Sequence, residues 1–284
     1  MRLFHYQQKR FKATDLAILL IFLLLSFSSA YSQTPISVCS WNLKDFGKSK
    51  SDSEIEFIAN TVKGFDVIAI QEIVAGYGGA LAVSRLHDEL NRKGSKWDYV
   101  VSDPTSSNNP YKVERYAFMW KTSRLKKVGD AWLEKKYNVE IEREPFYITL
   151  DSKGKRFTLV NFHAIPKSKQ PETEIKYFKF LPAIYQNHNL LFLGDFNVPQ
   201  SHNVFTPLWK MGYLSAMTGQ KTSLKQTCIS NDCLASELDN FYFRRSIFKY
   251  HSSGIIPFYQ AFTDYKEARL ISDHVPIFFN FSLN

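Results

Sequence analysis

The sequence predicts a single α/β domain built on mixed β-sheets over residues 31–284. Three observations carry that expectation. Short apolar runs of strand length alternate with amphipathic stretches of helical period along the whole segment. Between residues 97 and 163 strands follow one another directly, which argues against a purely parallel βαβ winding. No internal repeat, low-complexity tract or Pro/Gly linker divides the segment. In a chain of 284 residues, 44% hydrophobic and 15% aromatic residues supply a large core and exclude a disordered, collagen-like or coiled-coil protein.

Ahead of the domain, Arg2, Lys9, Arg10 and Lys12 precede an uncharged apolar run from Leu16 to Ser28, then the small-residue site at Ser28-Ser29-Ala30. This is the pattern of a secretory signal peptide over residues 1–30, cleaved near Ala30. The run is short of the roughly 20 residues that span a bilayer. The expectation is therefore a secreted or periplasmic protein with no stable membrane association after cleavage. The signal carries four basic residues against Asp15, so the net charge of +9 falls to +6 in the mature chain. Positive charge favours phosphate-rich partners.

Within the domain, Ile36–Trp41 reads as a strand. A capping box from Ser53 to Glu56 opens a helix with Ile55, Ile58, Ala59 and Val62 on one face, and Gly64 stops it. Asp66–Ile70 is a buried strand ending at Gln71-Glu72. A second helix spans about Gly79–Lys93, with Gly94 as its stop. Tyr99–Ser102, Tyr116–Lys121, Phe146–Leu150 and Phe157–His163 read as strands. A helix over 171–187 contains Pro182, which kinks or divides it. Leu190–Gly194 is another buried strand, Phe205–Met211 is helical, and Leu238–Phe243 and Val275–Phe281 complete about nine strands. Cys228 and Cys233 are close enough for a small loop disulfide, and Cys39 lies in an apolar run as a buried free thiol. No CxxC or HxxxH pair points to zinc.

Chemistry collects where apolar runs stop. Strand ends deliver Asn42, Glu72, His163, Asp195 and Asn197, and Asp273 and His274 precede the last strand. One rim holding two histidines, three carboxylates and two asparagines is a hard-oxygen site with acid/base capacity. Each residue alone has a bland reading, as a solvated strand end, a turn former or a satisfied structural histidine. The joint pattern is what argues for a site.

The ordered motifs WN, QE, H, GDFN, LD and SDH resemble the endonuclease/exonuclease/phosphatase superfamily over nearly all of residues 35–283, and YKVERYAF and REPF resemble its deoxyribonuclease I branch. The resemblance implies two mixed β-sheets packed as a sandwich flanked by helices, with the active site on one rim. It implies a metal-dependent phosphodiesterase that cuts nucleic acid, double-stranded DNA above all, to 5′-phosphate and 3′-hydroxyl ends. Asn42, Glu72 and Asp273 would hold Mg²⁺ (or Mn²⁺), with Ca²⁺ in a structural role. Asp195 would orient or deprotonate water, and Asn197 would fix phosphate oxygens. His163, paired with Glu114, and His274, paired with Asp239, would flank the scissile phosphate. Arg143 and Tyr111 would touch the DNA backbone, and the protein would act as a monomer.

The chain also departs from that branch. No Arg follows the QE pair to read the minor groove, so that grip is either weaker or supplied by Lys44, Lys48, Lys50 or Lys112, and no Cys follows GDFN. A second reading keeps the fold and changes the substrate to sphingomyelin or a phosphoinositide. It needs an exposed aromatic hairpin, for which Ile255–Tyr259 is the candidate. That segment reads equally well as core-facing. A third reading, a non-catalytic nucleic-acid-binding module, requires the loss of a metal or histidine position, and none is lost.

Overall fold

The computed structural model describes residues 34–107 and 113–284. The expected signal peptide over residues 1–30 and the positions of Tyr111 and Lys112 lie outside the described residues. The chain opens with β1 (Ile36–Phe46), α1 (Asp52–Val62), β2 (Val67–Val74), α2 (Tyr77–Arg92), β3 (Trp97–Val101) and β4 (Glu114–Lys121). Two short strands, β5 (Lys126–Lys127) and β6 (Trp132–Leu133), precede the hairpin of β7 (Phe146–Ser152) and β8 (Lys155–His163). Helices α3 (Glu172–Ile175) and α4 (Leu181–Ile184) lead to β9 (Leu190–Asp195), α5 (Thr206–Lys210) and β10 (Tyr213–Ser215). A hairpin of β11 (Leu224–Ile229) and β12 (Asp232–Leu234) follows, then β13 (Asp239–Arg244), β14 (Phe248–Ile255), α6 (Tyr265–Ile271) and β15 (Ile277–Leu283).

The strands form two large mixed sheets, ordered β14-β15-β1-β2-β4-β3 and β10-β13-β9-β8-β7-β5. Each has a parallel pair at its centre, β1 with β2 and β8 with β9, flanked on both sides by antiparallel neighbours. A parallel pair needs a crossover. Helix α1 supplies it in the first sheet, and α3 with α4 in the second. The period of two then sorts the side chains. Val38, Ala69, Phe118 and Phe279 of the first sheet share one core with Ile148, Leu159, Leu193 and Phe241 of the second. Their neighbours Trp41, Ile70 and Met119 face outward onto α1 and α2. Val160, Phe162, Phe192 and Tyr242 face outward onto α3, α4 and α5. The expected two-sheet sandwich flanked by helices is the fold.

Several local expectations shift. The capping box is Ser51 with Glu54, two residues before the expected Ser53 and Glu56. Both pairs fit the S-x-x-E spacing, but Arg85 bonds the Lys50 carbonyl and Asp52, which anchors the earlier start. The helix expected over 171–187 is divided into α3, a 3-10 turn at Phe178–Phe180 and α4, whose first turn holds Pro182. The count of about nine strands was low. β14 carries no apolar strand signal because its FKYHSSGI sequence is largely polar, as suits a half-exposed edge strand. Ile255 ends that strand, and Phe258 is buried against Trp41 with ring centroids 5.0 Å apart, so this segment faces the core. Cys228 and Cys233 are bridged across the β11–β12 hairpin, and Cys39 is free and buried. Among the described residues no helix is long and apolar enough to cross a membrane.

Gly194 lies in β9, opposite Phe162 of β8, one residue before the rim. Its φ is +128°, and a Cβ there would come within 2.0 Å of the Phe162 carbonyl oxygen. Only glycine tolerates both. Gly194→Ala is expected to cost roughly 3 kcal/mol, read by urea unfolding; stability equal to wild type would refute this account of the strand contact.

Candidate active site

The inward-facing alternation turns polar at one end of the sandwich. In β8 the series Phe157, Leu159, Asn161 ends at His163, and in β9 Leu191 and Leu193 lead to Asp195. Running the other way, β4 and β13 begin with Glu114 and Asp239 before entering the core through Tyr116 and Phe241. The parallel strands end at this rim and their antiparallel neighbours start there, so both kinds contribute. Just beneath it, Gln71 donates to the Asn161 side-chain oxygen at 2.5 Å and ties the two sheets together.

Glu72 breaks the alternation. Its φ is +59°, and the register of β2 against β4 shifts between Ile70 and Ile73. The bulge lets Ile73 take the helix-facing position and frees Glu72 to turn toward β1. There Glu72 accepts from the Asn42 amide at 2.9 Å and from the Asp45 N–H at 3.3 Å. A non-glycine residue held at positive φ is a local strain that clusters at functional sites.

Two histidine–carboxylate pairs bridge the sheets. His163 of β8 places Nδ1 2.9 Å from Glu114 of β4, and His274, just before β15, places Nδ1 2.7 Å from Asp239 of β13. Between them lies Asp195, whose Oδ2 is 3.5 Å from His163 Nε2, 3.6 Å from His274 Nε2 and 3.2 Å from the Asn42 amide. The Asp195 carboxyl is 1% exposed. Burial pushes its pKa up, but His274 and His163 on either side outweigh burial and hold it below the usual carboxylate range. Burial pushes His274 down, yet Asp239 and Asp195 prevail and raise it to about 10. His163 is also raised: burial and Arg143 lower it, and Glu114 and Asp195 more than offset them. The rim thus favours imidazolium at both histidines and carboxylate at Asp195, while burial and the neighbouring Asp195 push the Asp239 carboxyl up.

The donor set fits a hard cation. Asn42 Oδ1 is buried and has no hydrogen-bond partner, while the amide of the same side chain is bound to Glu72 and Asp195. An orphaned carbonyl oxygen beside a carboxylate suits an oxygen-seeking divalent ion. Asp195, Asp239 and His274 also offer ligand atoms within 4.8 Å of one another. A cation there would have to displace the proton that His274 holds between two carboxylates, so Asn42 with Glu72 is the better-suited pair.

Other expected residues take different places. Asp273 is on the rim, but its carboxylate lies 3.8 Å from Arg269 and no hydrogen bond or ion pair joins it to Asn42 or Glu72. Asn197 makes a tight turn at φ +54°, giving its N–H to Asp195 at 2.9 Å and its amide to the Ala164 carbonyl at 2.9 Å. Arg143 is nearly buried, with Nη1 3.1 Å from Glu114 and 3.0 Å from His163 Nδ1, and Nη2 on the Ala164 carbonyl. Lys50 is also buried, and its ammonium donates to the Leu270 and Ile271 carbonyls. Of the lysines offered for DNA contact, Lys50 is already engaged and Lys48 is exposed.

Sequence reasoning missed the residues that hold the histidines and their carboxylates. Thr222, fully buried, donates to Asp239 at 2.6 Å, and Ser272 accepts from the His274 N–H at 2.9 Å. Trp41 donates to the His274 carbonyl at 2.8 Å, and the Tyr116 hydroxyl accepts from the His163 N–H at 3.2 Å. Thr222 lies in a polar loop with no periodicity to mark it. Tyr116 was visible, two residues beyond Glu114 on the same strand face.

No family model matches the chain. It is 27% identical over 293 residues to a deoxyribonuclease of Thioalkalivibrio sp. (strain K90mix), covering 94% of this chain and 76% of that protein. Human deoxyribonuclease gamma is 30% identical over 204 residues, covering 66% of this chain and 64% of that protein. A solved endonuclease/exonuclease/phosphatase family protein of Bacteroides thetaiotaomicron shares the fold, with a TM-score of 0.64 at 17% identity over 88% of this chain and 98% of that one.

The raised pKa of His274 makes stability depend on pH. Its pairing contributes fully below the unfolded value of about 6.5 and is lost as pH rises toward the folded value. His274→Gln strands two buried carboxylates and is expected to cost about 3 kcal/mol at pH 6. In metal-free buffer that penalty should narrow steadily between pH 6.5 and 10, as paired melting curves would show. A penalty that widened with pH would refute the assignment.

Proposed function

We propose that this chain, a member of the endonuclease/exonuclease/phosphatase superfamily with a deoxyribonuclease I-like fold, is an exported, divalent-metal-dependent endonuclease that cuts DNA with little sequence preference. The observation that carries the reading is the Asp195 carboxylate held between two imidazoles, 3.5 and 3.6 Å away, each backed by its own buried carboxylate. The names of the relatives, deoxyribonucleases at 27% and 30% identity, support DNA as the substrate.

Asp195 keeps its negative charge in a buried site, so it can orient a water and accept its proton as the oxygen attacks phosphorus. The P–O3′ bond breaks, leaving a 5′-phosphate and a 3′-hydroxyl. His163 and His274 hold positive charge on either side of the phosphate as negative charge builds on its oxygens, and an imidazolium can supply the proton the leaving 3′ oxygen takes up. Glu114 and Asp239 keep each ring charged and oriented through Nδ1, leaving Nε2 toward Asp195. Asn42 and Glu72 would hold Mg²⁺, which when bound supplies Lewis-acid stabilisation of the phosphate. Duplex DNA is the proposed substrate, a monomer the working form, and residues 1–30 the export signal.

The lipid reading gains nothing from the fold, because Phe258 of its candidate docking segment is buried. Plasmid relaxation in Mg²⁺ tests the nuclease reading. Excess EDTA should abolish it, and His163→Ala should lower it by about 10³-fold. Undiminished nicking in either case, or turnover of sphingomyelin vesicles without plasmid relaxation, would overturn the proposal.

A further inference from the structure

Tyr77 is 81% exposed, the most exposed aromatic side chain among the described residues. It is the first residue of α2, five positions beyond Glu72, so chain length alone keeps its Cα within about 17 Å of the Glu72 Cα. That is a span of two to three nucleotides. The segment bearing it is firmly packed. A Cβ on Gly79 would come within 2.0 Å of the Val74 carbonyl oxygen, and one on Gly78 within 3.2 Å of the Lys48 backbone nitrogen. Arg115 also bonds the Ala75 carbonyl at 2.7 Å. The Gly78 contact, made to the Lys48 backbone and Cβ, sets the exposed Lys48 against the segment that bears Tyr77. Among the described residues no hydrogen bond, ion pair or ring contact engages either side chain.

An unpartnered ring on a firmly packed backbone, with an unpartnered lysine on the adjoining segment and a phosphodiester site within a few nucleotides, matches what a single strand offers. Every base has a face to stack, and every step carries a phosphate. In a duplex those faces are covered by neighbouring pairs. We infer that Tyr77 stacks on an unpaired nucleobase flanking the cut while Lys48 neutralises the adjacent phosphate, adding single-stranded DNA to the substrates of the rim. The inference rests on the nuclease reading above.

The test is binding of a fluorescent 12-nucleotide strand and of its duplex in EDTA, read by anisotropy, alongside cleavage of both in Mg²⁺. Tyr77→Ala should weaken single-strand binding and lower its kcat/KM about tenfold, and shift the duplex values by no more than about threefold. Tyr77→Phe, which keeps the ring, should stay within about twofold of wild type, and Lys48→Ala should flatten the salt dependence of single-strand binding. Equal losses on both substrates, no loss on either, or a Phe variant as weak as Ala would overturn the platform. So would loss of phosphatidylserine-vesicle binding in Tyr77→Ala with oligonucleotide binding intact. If wild type cuts neither substrate yet Tyr77→Ala still weakens strand binding, the nuclease reading fails and the platform stands.

Discussion

The Asp195 carboxylate lies almost wholly out of water, and a buried charge of that kind persists only if its surroundings are built to hold it. Four polar groups converge on it: the rings of His163 and His274, the Asn42 amide and the Asn197 N–H. The two imidazolium rings would themselves be costly to bury without Glu114 and Asp239 behind them. Those carboxylates are in turn bound by Arg143 and Thr222. The rim is therefore a nested set of charges in which each layer makes the next tolerable. Little of it can be removed without exposing an uncompensated charge.

Topology explains why such a set can form at one edge of this sandwich. Each sheet has a parallel pair between antiparallel flanks. The ends of β8 and β9 and the starts of β4 and β13 all meet at the same level. A period of two, continued one step beyond the last apolar residue in β4, β9 and β13 and two steps in β8, points His163, Asp195, Glu114 and Asp239 into the gap between the sheets. Glu72 is the exception, and it needs a bulge and a strained backbone to join them.

Much of this was legible in the sequence. Apolar runs located the central strands, and their abrupt polar ends located Asn42, Glu72, His163 and Asp195. The pairing of each histidine with its carboxylate was available only through resemblance, since Glu114 and Asp239 lie 49 and 35 residues from their partners. What stayed hidden has physical reasons. The polar edge strand β14 lacks an apolar signal because one side has no neighbour. Lys50 looked like a surface cation because nothing local reveals that its ammonium meets the end of α6, 220 residues away. Asp273 adjoins His274 in sequence, yet the turn sends its carboxylate to Arg269 instead.

The two histidine–carboxylate pairs are reciprocal. One takes its histidine from the second sheet and its carboxylate from the first, and the other reverses the roles. A small slide or twist of one sheet against the other therefore disturbs both pairs together. The interior packing that holds the sheets in alignment also sets the distances at the rim, so core substitutions far from the rim can shift its geometry. In this architecture the geometry of the rim is a gauge of how well the two halves of the sandwich are aligned.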